Sequence, residues 1–217
     1  MLIAVNKAHF PVTVLGPGRR IGIWLQGCSI RCPGCVSRDT WEPDRQRMLP
    51  VETLLGWCRE VAAAGLDGIT ISGGEPFDQA EALECLLRGL IAWREQDGLA
   101  FDVLCYSGWP LRELDRRHAQ TLALLDALIP EPYIDAQATD LPWRGSENQP
   151  LVALSPLGAA RYGATGAHAQ QRARHLQVRV DGKRIWYIGI PRRGDMDRLA
   201  AGCRERGLEF TSMSWRA

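Results

Sequence analysis

Residues 28–35 read Cys28-Ser29-Ile30-Arg31-Cys32-Pro33-Gly34-Cys35, which is a C-x3-C-x2-C arrangement within one short segment. The apolar run Ile21–Leu25 precedes it and is typical of a strand, so the cysteines are predicted to lie on the loop that follows. Three thiolates on one loop can bind three irons of a cubane iron–sulfur cluster, whereas a cluster held only by cysteines normally takes four. The fourth iron would then be open to a reactant, as an open metal position generally is.

Two other interpretations of this segment are a zinc site and a group of unligated core thiols. Zinc sites usually have paired C-x2-C units and close to four ligands, whereas this loop supplies only three thiolates at uneven spacing. The spacing therefore favours an iron–sulfur cluster over both.

The spacing is also that of the radical S-adenosylmethionine (SAM) superfamily, and three short stretches narrow the resemblance. They are Gly16-Pro17-Gly18-Arg19 before the cysteines, Cys32-Pro33-Gly34-Cys35 among them and Thr40-Trp41 after them. In these stretches the chain resembles the activating proteins of anaerobic ribonucleotide reductase, which form part of the glycyl-radical-enzyme activases.

The resemblance implies two cofactors, a [4Fe-4S] cluster and SAM. Cys28, Cys32 and Cys35 would bind the cluster. The segment Ser72-Gly73-Gly74-Glu75-Pro76 is similar to the family's glycine-rich SAM motif, so Gly73, Gly74 and Glu75 are expected to contact the methionine end of SAM. Backbone around the last two cysteines contacts adenine in the family, which indicates Gly34 and Val36. A Gly-Gly-Glu-Pro turn alone would be a common strand-to-helix link.

Two later segments extend the resemblance. Tyr106-Ser107-Gly108-Trp109 is similar to a Tyr-Thr-Gly-Tyr stretch of the family, and residues 144–149, Arg-Gly-Ser-Glu-Asn-Gln, to an Arg-Gly-Ser-Ser-Asn-Gln stretch. The second segment could also be an ordinary polar loop, and the roles of Arg144, Asn148 and Gln149 stay open. Residues 129–132, Ile-Pro-Glu-Pro, depart from the family's Val-Asp-Gly-Pro.

Alternating apolar segments predict an α/β fold. Strands are expected at 2–5, 21–25, 68–72, 101–106 and 127–134, the last of them interrupted by Pro130 and Pro132. Helices are expected at 50–65 and 110–125, and a further helix should begin at Asp78 as its N-cap. This order predicts right-handed βα units and a partial parallel barrel of the radical SAM type. An Asp-Gly turn predicts a β-hairpin over 176–190, and a helix should follow at 195–206. We expect a core domain at 1–150 and an extension at 151–217 packed on it, with a loose loop around 158–169.

Composition is that of a globular protein of 217 residues, with 46% hydrophobic and 24% charged residues. No membrane span or signal peptide is recognisable, so we expect a cytoplasmic location. Seven cysteines make an odd number, and the four outside the loop are expected in the core: Cys58, Cys85, Cys105 and Cys203. The four histidines show no metal-binding spacing and are expected to be structural or exposed: His9, His118, His168 and His175.

Charge is unevenly distributed along the chain. Residues 1–141 carry 13 basic and 19 acidic side chains, whereas residues 142–217 carry 13 basic and 6 acidic ones. A basic last third could face an acidic protein or a nucleic acid. No aromatic platform or RNA-binding motif accompanies the charge, so a solvated arginine-rich surface is favoured and nucleic acid is not expected.

The sequence therefore predicts a radical SAM enzyme that cleaves SAM reductively and activates a glycyl-radical enzyme. The resemblance implies that enzyme as the protein partner and an electron donor such as flavodoxin. One alternative is a radical SAM enzyme that modifies a small molecule or a peptide, similar to 7-carboxy-7-deazaguanine synthase. A second alternative is a non-catalytic iron–sulfur or zinc module. The sequence does not name the hydrogen donor or the role of the extension.

Overall fold

The computed structural model describes residues 1–163, 176–182 and 184–216. Nine strands and five α-helices lie in these ranges. The strands are β1 Leu2–Val12, β2 Arg20–Leu25, β3 Met48–Pro50, β4 Gly68–Gly73, β5 Asp102–Tyr106, β6 Ala127–Ile129, β7 Val152–Ala153, β8 Leu176–Asp181 and β9 Arg184–Gly189. The helices are α1 Val51–Ala62, α2 Ala80–Gln96, α3 Leu111–Leu122, α4 Pro156–Tyr162 and α5 Asp195–Glu205.

Seven strands form one sheet in the order β3-β1-β2-β4-β5-β6-β7, and β8 pairs with β9 separately. The four central strands are parallel, while β1, β3 and β7 pair antiparallel at the edges. The predicted α/β fold of βα units with a C-terminal hairpin and helix is confirmed. The three antiparallel pairings were not predicted, because β3 and β7 are too short to show a sequence period and the pattern of β1 does not reveal the direction in which it pairs with β2.

The register brings the carboxyl ends of the parallel strands to one edge. Leu25 of β2 pairs with Gly73 of β4, and Tyr106 of β5 pairs with Ile129 of β6. The segments that follow these strands therefore meet at that edge, where parallel α/β proteins bind their ligands.

Side chains alternate between the two sheet faces. One face packs against α1, α2 and α3 through a core that contains Ile21, Ile23, Ile69, Ile71 and Val103. This arrangement buries the apolar stripes that the sequence predicted for α1 and α2, because β-branched strand residues fit against the leucines of the helices.

The opposite face carries a buried polar network at the amino ends of the strands. Arg20 forms two hydrogen bonds with Asp102, of 3.0 and 2.7 Å, and both side chains are fully buried. Thr70 Oγ1 accepts from Arg20 Nε at 2.7 Å. Arg161 and Tyr162 of α4 donate to the same Asp102 carboxylate, so α4 closes this end of the sheet.

Contacts of the residues after 150 favour a later domain boundary than the one expected there. Strand β7 extends the main sheet, and helix α4 donates hydrogen bonds to Asp102. Ser155 Oγ donates to Asp126 at 2.6 Å. We propose that the core domain continues to about residue 163, and that the extension begins after it.

Two sequence predictions need correction in this part of the chain. Strand β6 ends at Ile129 instead of 134, because Pro130 and Pro132 lack the backbone N–H that a strand needs. Asp78 does not cap α2; a short 3-10 helix, Pro76–Gln79, intervenes, and Glu75 caps it by accepting from Phe77 N. Asp78 instead accepts from the backbone N and the hydroxyl of Ser29.

The remaining cysteines and histidines that are described follow the expectation, except that Cys203 on α5 does not belong to the hydrophobic clusters formed by the described residues. Cys58 and Cys105 are buried, and Cys85 and Cys203 are half-buried. His9 stacks on Trp186 and His118 packs against Phe77. His168, His175 and residues 164–169 of the expected loop lie outside the described residues, whereas residues 158–162, expected to be part of that loop, belong to α4. Within the described part of the chain, no helix is both long and apolar enough to cross a membrane.

Candidate iron–sulfur site

The three motif cysteines lie on the loop that leaves β2, which we call the cluster loop (residues 26–41). All three are free and half-buried. The two ends of the loop are held together, because Gly27 N donates to Thr40 O at 2.7 Å and Cys28 N to Trp41 O at 2.9 Å. The thiols are thereby presented on a closed segment at the carboxyl edge of the sheet.

The thiols interact with one another and with one carboxylate. Burial raises the pKa of Cys28 and of Cys32, and the nearby Cys35 and Glu75 raise both pKa values further. Backbone N–H groups act in the opposite direction, among them that of Tyr133 toward Cys32. A metal that binds thiolate must displace these protons, so binding will be stronger at higher pH.

The donor set fits a cubane with three protein ligands. Three half-buried thiols share one loop, and Ser37 N donates to Cys35 Sγ at 3.4 Å. Hydrogen bonds of this kind to sulfur tune the reduction potential of iron–sulfur clusters. Among the residues that the structure describes, no three His, Cys, Asp or Glu side chains converge on a position for a single metal ion. A cubane differs from such a site because each of its irons takes its own thiolate.

The glycine-rich turn after β4 lies directly against the start of the cluster loop. Gly74 N donates to Leu25 O at 2.9 Å, and Glu75 N to Gly27 O at 2.8 Å. A Cβ on Gly74 would lie 2.0 Å from Gly27 O, and one on Gly73 would lie 2.4 Å from Leu25 N. Both positions thus require glycine, because another backbone segment lies too close to leave room for a side chain. The sequence motif did not reveal this packing role.

Glu75 is buried and joins two neighbouring turns. Its carboxylate accepts from Phe77 N at 3.0 Å, from Ser107 Oγ at 2.9 Å and from Gly108 N at 2.7 Å. Burial raises its pKa to about 7, although these three donors lower it. The side chain therefore fixes the turn after β4 to the turn after β5. Whether it also contacts SAM stays a prediction.

The turn after β5 touches the cluster loop from the other side. A Cβ on Gly108 would lie 2.9 Å from the side chain of Ile30, so the glycine leaves room for that loop residue. Ser107 N donates to Ile129 O at 3.0 Å, which ties the turn to β6. The turns after β4 and β5 thereby both contact the loop that carries the cysteines, and the second of them is bonded to β6.

The loop at 144–149 is mostly held by its own side chains. Gln149 accepts from Gly145 N and Ser146 N and donates to Glu131 O, while Asn148 donates to Pro132 O. These bonds give Asn148 and Gln149 a structural role that fastens the loop to the segment after β6. Arg144 Nε and Asn148 Oδ1 are buried without a hydrogen-bond partner among the described residues.

A cavity of about 530 Å³ opens beside the second half of the cluster loop. Gly34, Cys35 and Val36 form part of its wall. The lining described by the structure does not include Gly73, Gly74 or Glu75. Of the predicted SAM contacts, Gly34 and Val36 therefore line this cavity, whereas the residues of the Gly-Gly-Glu turn are not part of the lining that the structure describes.

Pro33, Arg38 and Trp41 of the cluster loop also line the cavity, and the other lining residues come from segments that the sequence analysis did not assign to the site. Tyr133 and Asp135 follow β6, and residues 191–194, 196–197 and 215–216 belong to the extension. Tyr133 donates to Asp135 at 3.0 Å, and both side chains lie against Gly34. No local motif marks them, because the chain brings them to the loop from about 100 and 180 residues away.

Comparison with known proteins supports this assignment. The family model of the 4Fe-4S single cluster domain matches residues 14–152. The chain belongs to this family. The match includes every cysteine of the cluster loop and the Gly-Gly-Glu turn, and it ends at β7.

Its relatives are activating proteins. The chain is 26% identical over 138 residues to the anaerobic ribonucleoside-triphosphate reductase-activating protein of Enterobacteria phage T4, covering 64% of this chain and 86% of the relative. The protein of the same name from Escherichia coli is 27% identical over 148 residues, covering 65% of this chain and 93% of the relative. The pyruvate formate-lyase-activating enzyme of Staphylococcus epidermidis is 41% identical over 85 residues, covering 37% of this chain and 34% of the relative.

These similarities place the chain among the radical SAM activases, and they confirm the predicted [4Fe-4S] cluster and SAM as its cofactors. The chain is also similar to the solved structure of QueE from Escherichia coli, with 23% identity, a TM-score of 0.37 and coverage of 50% of this chain and 53% of that one. The match to the family model ends at residue 152, so most of the extension lies outside it.

Proposed function

We propose that this protein activates a glycyl-radical enzyme by removing a hydrogen atom from a backbone glycine of that enzyme. The observation that carries the proposal is the meeting of the cysteine loop with the Gly-Gly-Glu turn at one sheet edge. The names of relatives that this chain matches over 86–93% of their length support the choice of a protein substrate.

The cofactors supply the difficult chemistry: when bound, the reduced cluster and SAM together generate a 5′-deoxyadenosyl radical able to abstract hydrogen. The protein has to position them and exclude water. Cys28, Cys32 and Cys35 would each bind one iron. The backbone of Gly73 and Gly74 would receive the methionine end of SAM, with Glu75 fixing the turn, and Gly34 and Val36 would contact adenine.

The turns that surround the cysteines suit this task because they are rigid. Backbone hydrogen bonds join the cluster loop to the turn after β4, and a buried carboxylate joins that turn to the next one. A site held in this way keeps its geometry through the reaction. An electron donor such as flavodoxin and a cytoplasmic location are part of the proposal.

The proposal is tested by incubating anaerobically reconstituted, reduced protein with SAM and measuring 5′-deoxyadenosine. We expect Cys32→Ala to lose the visible cluster absorbance, most of the bound iron and all SAM cleavage. Cys85→Ala should keep all three, because Cys85 lies on α2 and not on the cluster loop. Wild-type protein that holds the cluster but yields no 5′-deoxyadenosine would contradict the proposed enzyme.

A second measurement addresses the partner. Adding a glycyl-radical enzyme together with SAM should produce the electron paramagnetic resonance signal of a glycyl radical. SAM cleavage without that signal, when several such enzymes have been supplied, would instead favour the small-molecule or peptide alternative.

A further inference from the structure

The extension packs directly on the cluster loop. Ser214 O accepts from Asp39 N at 3.1 Å, and Ser214 Oγ donates to Val36 O at 3.3 Å. Arg193 pairs with Asp135 at 3.3 Å, and Arg192 pairs with Asp140 at 2.8 Å. The segment beyond α5 thus contacts the loop that carries the cysteines, and the segment before α5 contacts residues that follow β6.

These contacts build the cavity described above, which we call the extension chamber. Its aromatic walls are Trp41, Tyr133 and Trp215, and Cys35 lies in its lining. The volume of about 530 Å³ is within the usual range of ligand sites, ~300–1,000 Å³. A group that enters the chamber therefore comes close to a predicted cluster ligand.

The charged residues of the lining are mostly positive. They are Arg38, Arg192, Arg193 and Arg216, against Asp135 and Asp197. Arg38 stacks on Trp41 with its guanidinium carbon 5.1 Å from the ring centre. Guanidinium groups beside aromatic rings suit the recognition of carboxylates, because the planar fork forms two parallel hydrogen bonds.

The present partners of these arginines can be replaced. Arg192 and Asp140 are 57% and 66% exposed, and Arg216 and Asp197 are 51% and 80% exposed and 3.4 Å apart. Exposed ion pairs contribute only about 0–1 kcal/mol. An incoming carboxylate could therefore replace the present partner of one of these arginines at little cost in free energy.

We infer that the extension chamber is a docking site for an acidic peptide segment of the partner enzyme, held by Arg192, Arg193 and Arg216. The inference rests on the proposed function, because it makes the partner a protein. It gives the extension a role in partner selection: the arginines on the extension side of the chamber attract the acidic segment and Trp215 covers its backbone, while Gly34 and Val36 on the cluster-loop side are left to the adenine of SAM.

The test uses the full-length, reconstituted protein and two fluorescein-labelled peptides. In one peptide glutamates flank a central glycine, and in the other lysines replace the glutamates. Fluorescence anisotropy should show that the acidic peptide binds at least about tenfold more tightly than the lysine peptide, and that added salt weakens the binding.

Charge reversal supplies the decisive comparison. Arg192→Glu combined with Arg193→Glu should weaken binding of the acidic peptide by about tenfold or more and should improve binding of the lysine peptide. Arg88→Glu is the control, since Arg88 on α2 is similarly exposed at 59% and also has one carboxylate partner. Arg216→Glu alone is a second variant, and circular dichroism with thermal unfolding shows that each variant is folded.

Equal binding of both peptides, or unchanged binding by the folded double variant and by Arg216→Glu, would overturn the inference. Displacement of the acidic peptide by inorganic phosphate or ATP, at an affinity similar to that of the peptide, would also overturn it. The chamber would then be a site for small anions. Anisotropy does not require SAM turnover. A protein that binds the acidic peptide but produces no 5′-deoxyadenosine would therefore contradict the proposed function and leave the docking inference intact.

Discussion

The core and the extension are stabilised in different ways. In the core, buried groups contact one another: the turns after β2, β4 and β5 are joined by backbone hydrogen bonds, and Arg20 and Asp102 are fully buried. In the extension, strand β8 is largely exposed and the arginines that line the extension chamber form surface ion pairs.

This difference matches the tasks that we assign to the two regions. Placing a cluster and SAM requires fixed geometry, which burial and backbone bonding provide. Binding a protein partner requires groups that can release their present carboxylate and bind a carboxylate of the partner. Exposed arginines can do this, because surface ion pairs contribute little free energy. Three pairs of substitutions test the comparison.

The largest effect is expected for Asp102→Asn. Burial alone would raise the pKa of Asp102, but Arg20 and the donors from α4 hold this pKa below its ordinary value. The substitution leaves the Arg20 charge buried and uncompensated, so we expect the free energy of unfolding to fall by about 3–5 kcal/mol. Denaturant titration near neutral pH measures this.

The matched control is Asp140→Asn, which removes a carboxylate bound to an arginine at the surface. We expect a loss of at most about 1 kcal/mol. Because the pKa of Asp102 is lowered, its contribution should be present above the unfolded pKa and disappear as the pH falls through the folded pKa. Equal losses for the two variants would remove the distinction between the regions.

An intermediate effect is expected for Gly74→Ala. The new Cβ would lie 2.0 Å from the carbonyl oxygen of Gly27, and backbone cannot move aside as a side chain can. We expect a loss of about 1–3 kcal/mol and a lower yield of reconstituted cluster. Thermal unfolding and iron analysis measure both.

Gly56→Ala provides the comparison within the same domain. Gly56 lies on α1 with nothing within 4 Å of its Cβ position. Alanine should stabilise the helix there by about 0.5–1 kcal/mol. If Gly74→Ala also proved neutral, the close packing of the two turns would not be needed for cluster assembly.

The smallest effect is expected for Val180→Thr in β8. Val180 is 66% exposed, so the change should alter stability by no more than about 0.5 kcal/mol. The same substitution at Val103, which is 0% exposed in β5, should cost about 1–3 kcal/mol because it buries a hydroxyl. Comparable losses at the two positions would show that this hairpin face is covered in solution.

Much of the fold could be read from local sequence. β-branched runs marked β2, β4 and β5, the leucines marked α2, and Asp181-Gly182 marked the hairpin turn. Strand β7 and helix α4 were missed because two and seven residues give too little period to detect. Asp78 was misread as a cap, since a residue's preference for a cap does not reveal that Ser29 is its partner.

The sequence by itself determined the chemistry of the site: the spacing of Cys28, Cys32 and Cys35 and the Gly-Gly-Glu turn, because ligand type and spacing are local properties. Only the tertiary structure decided what surrounds them. It assigned Glu75 to a bridge between turns and brought Tyr133, Arg193 and Trp215 to the cluster loop. Such contacts depend on how the sheet and the extension pack, and no short stretch of sequence contains that information.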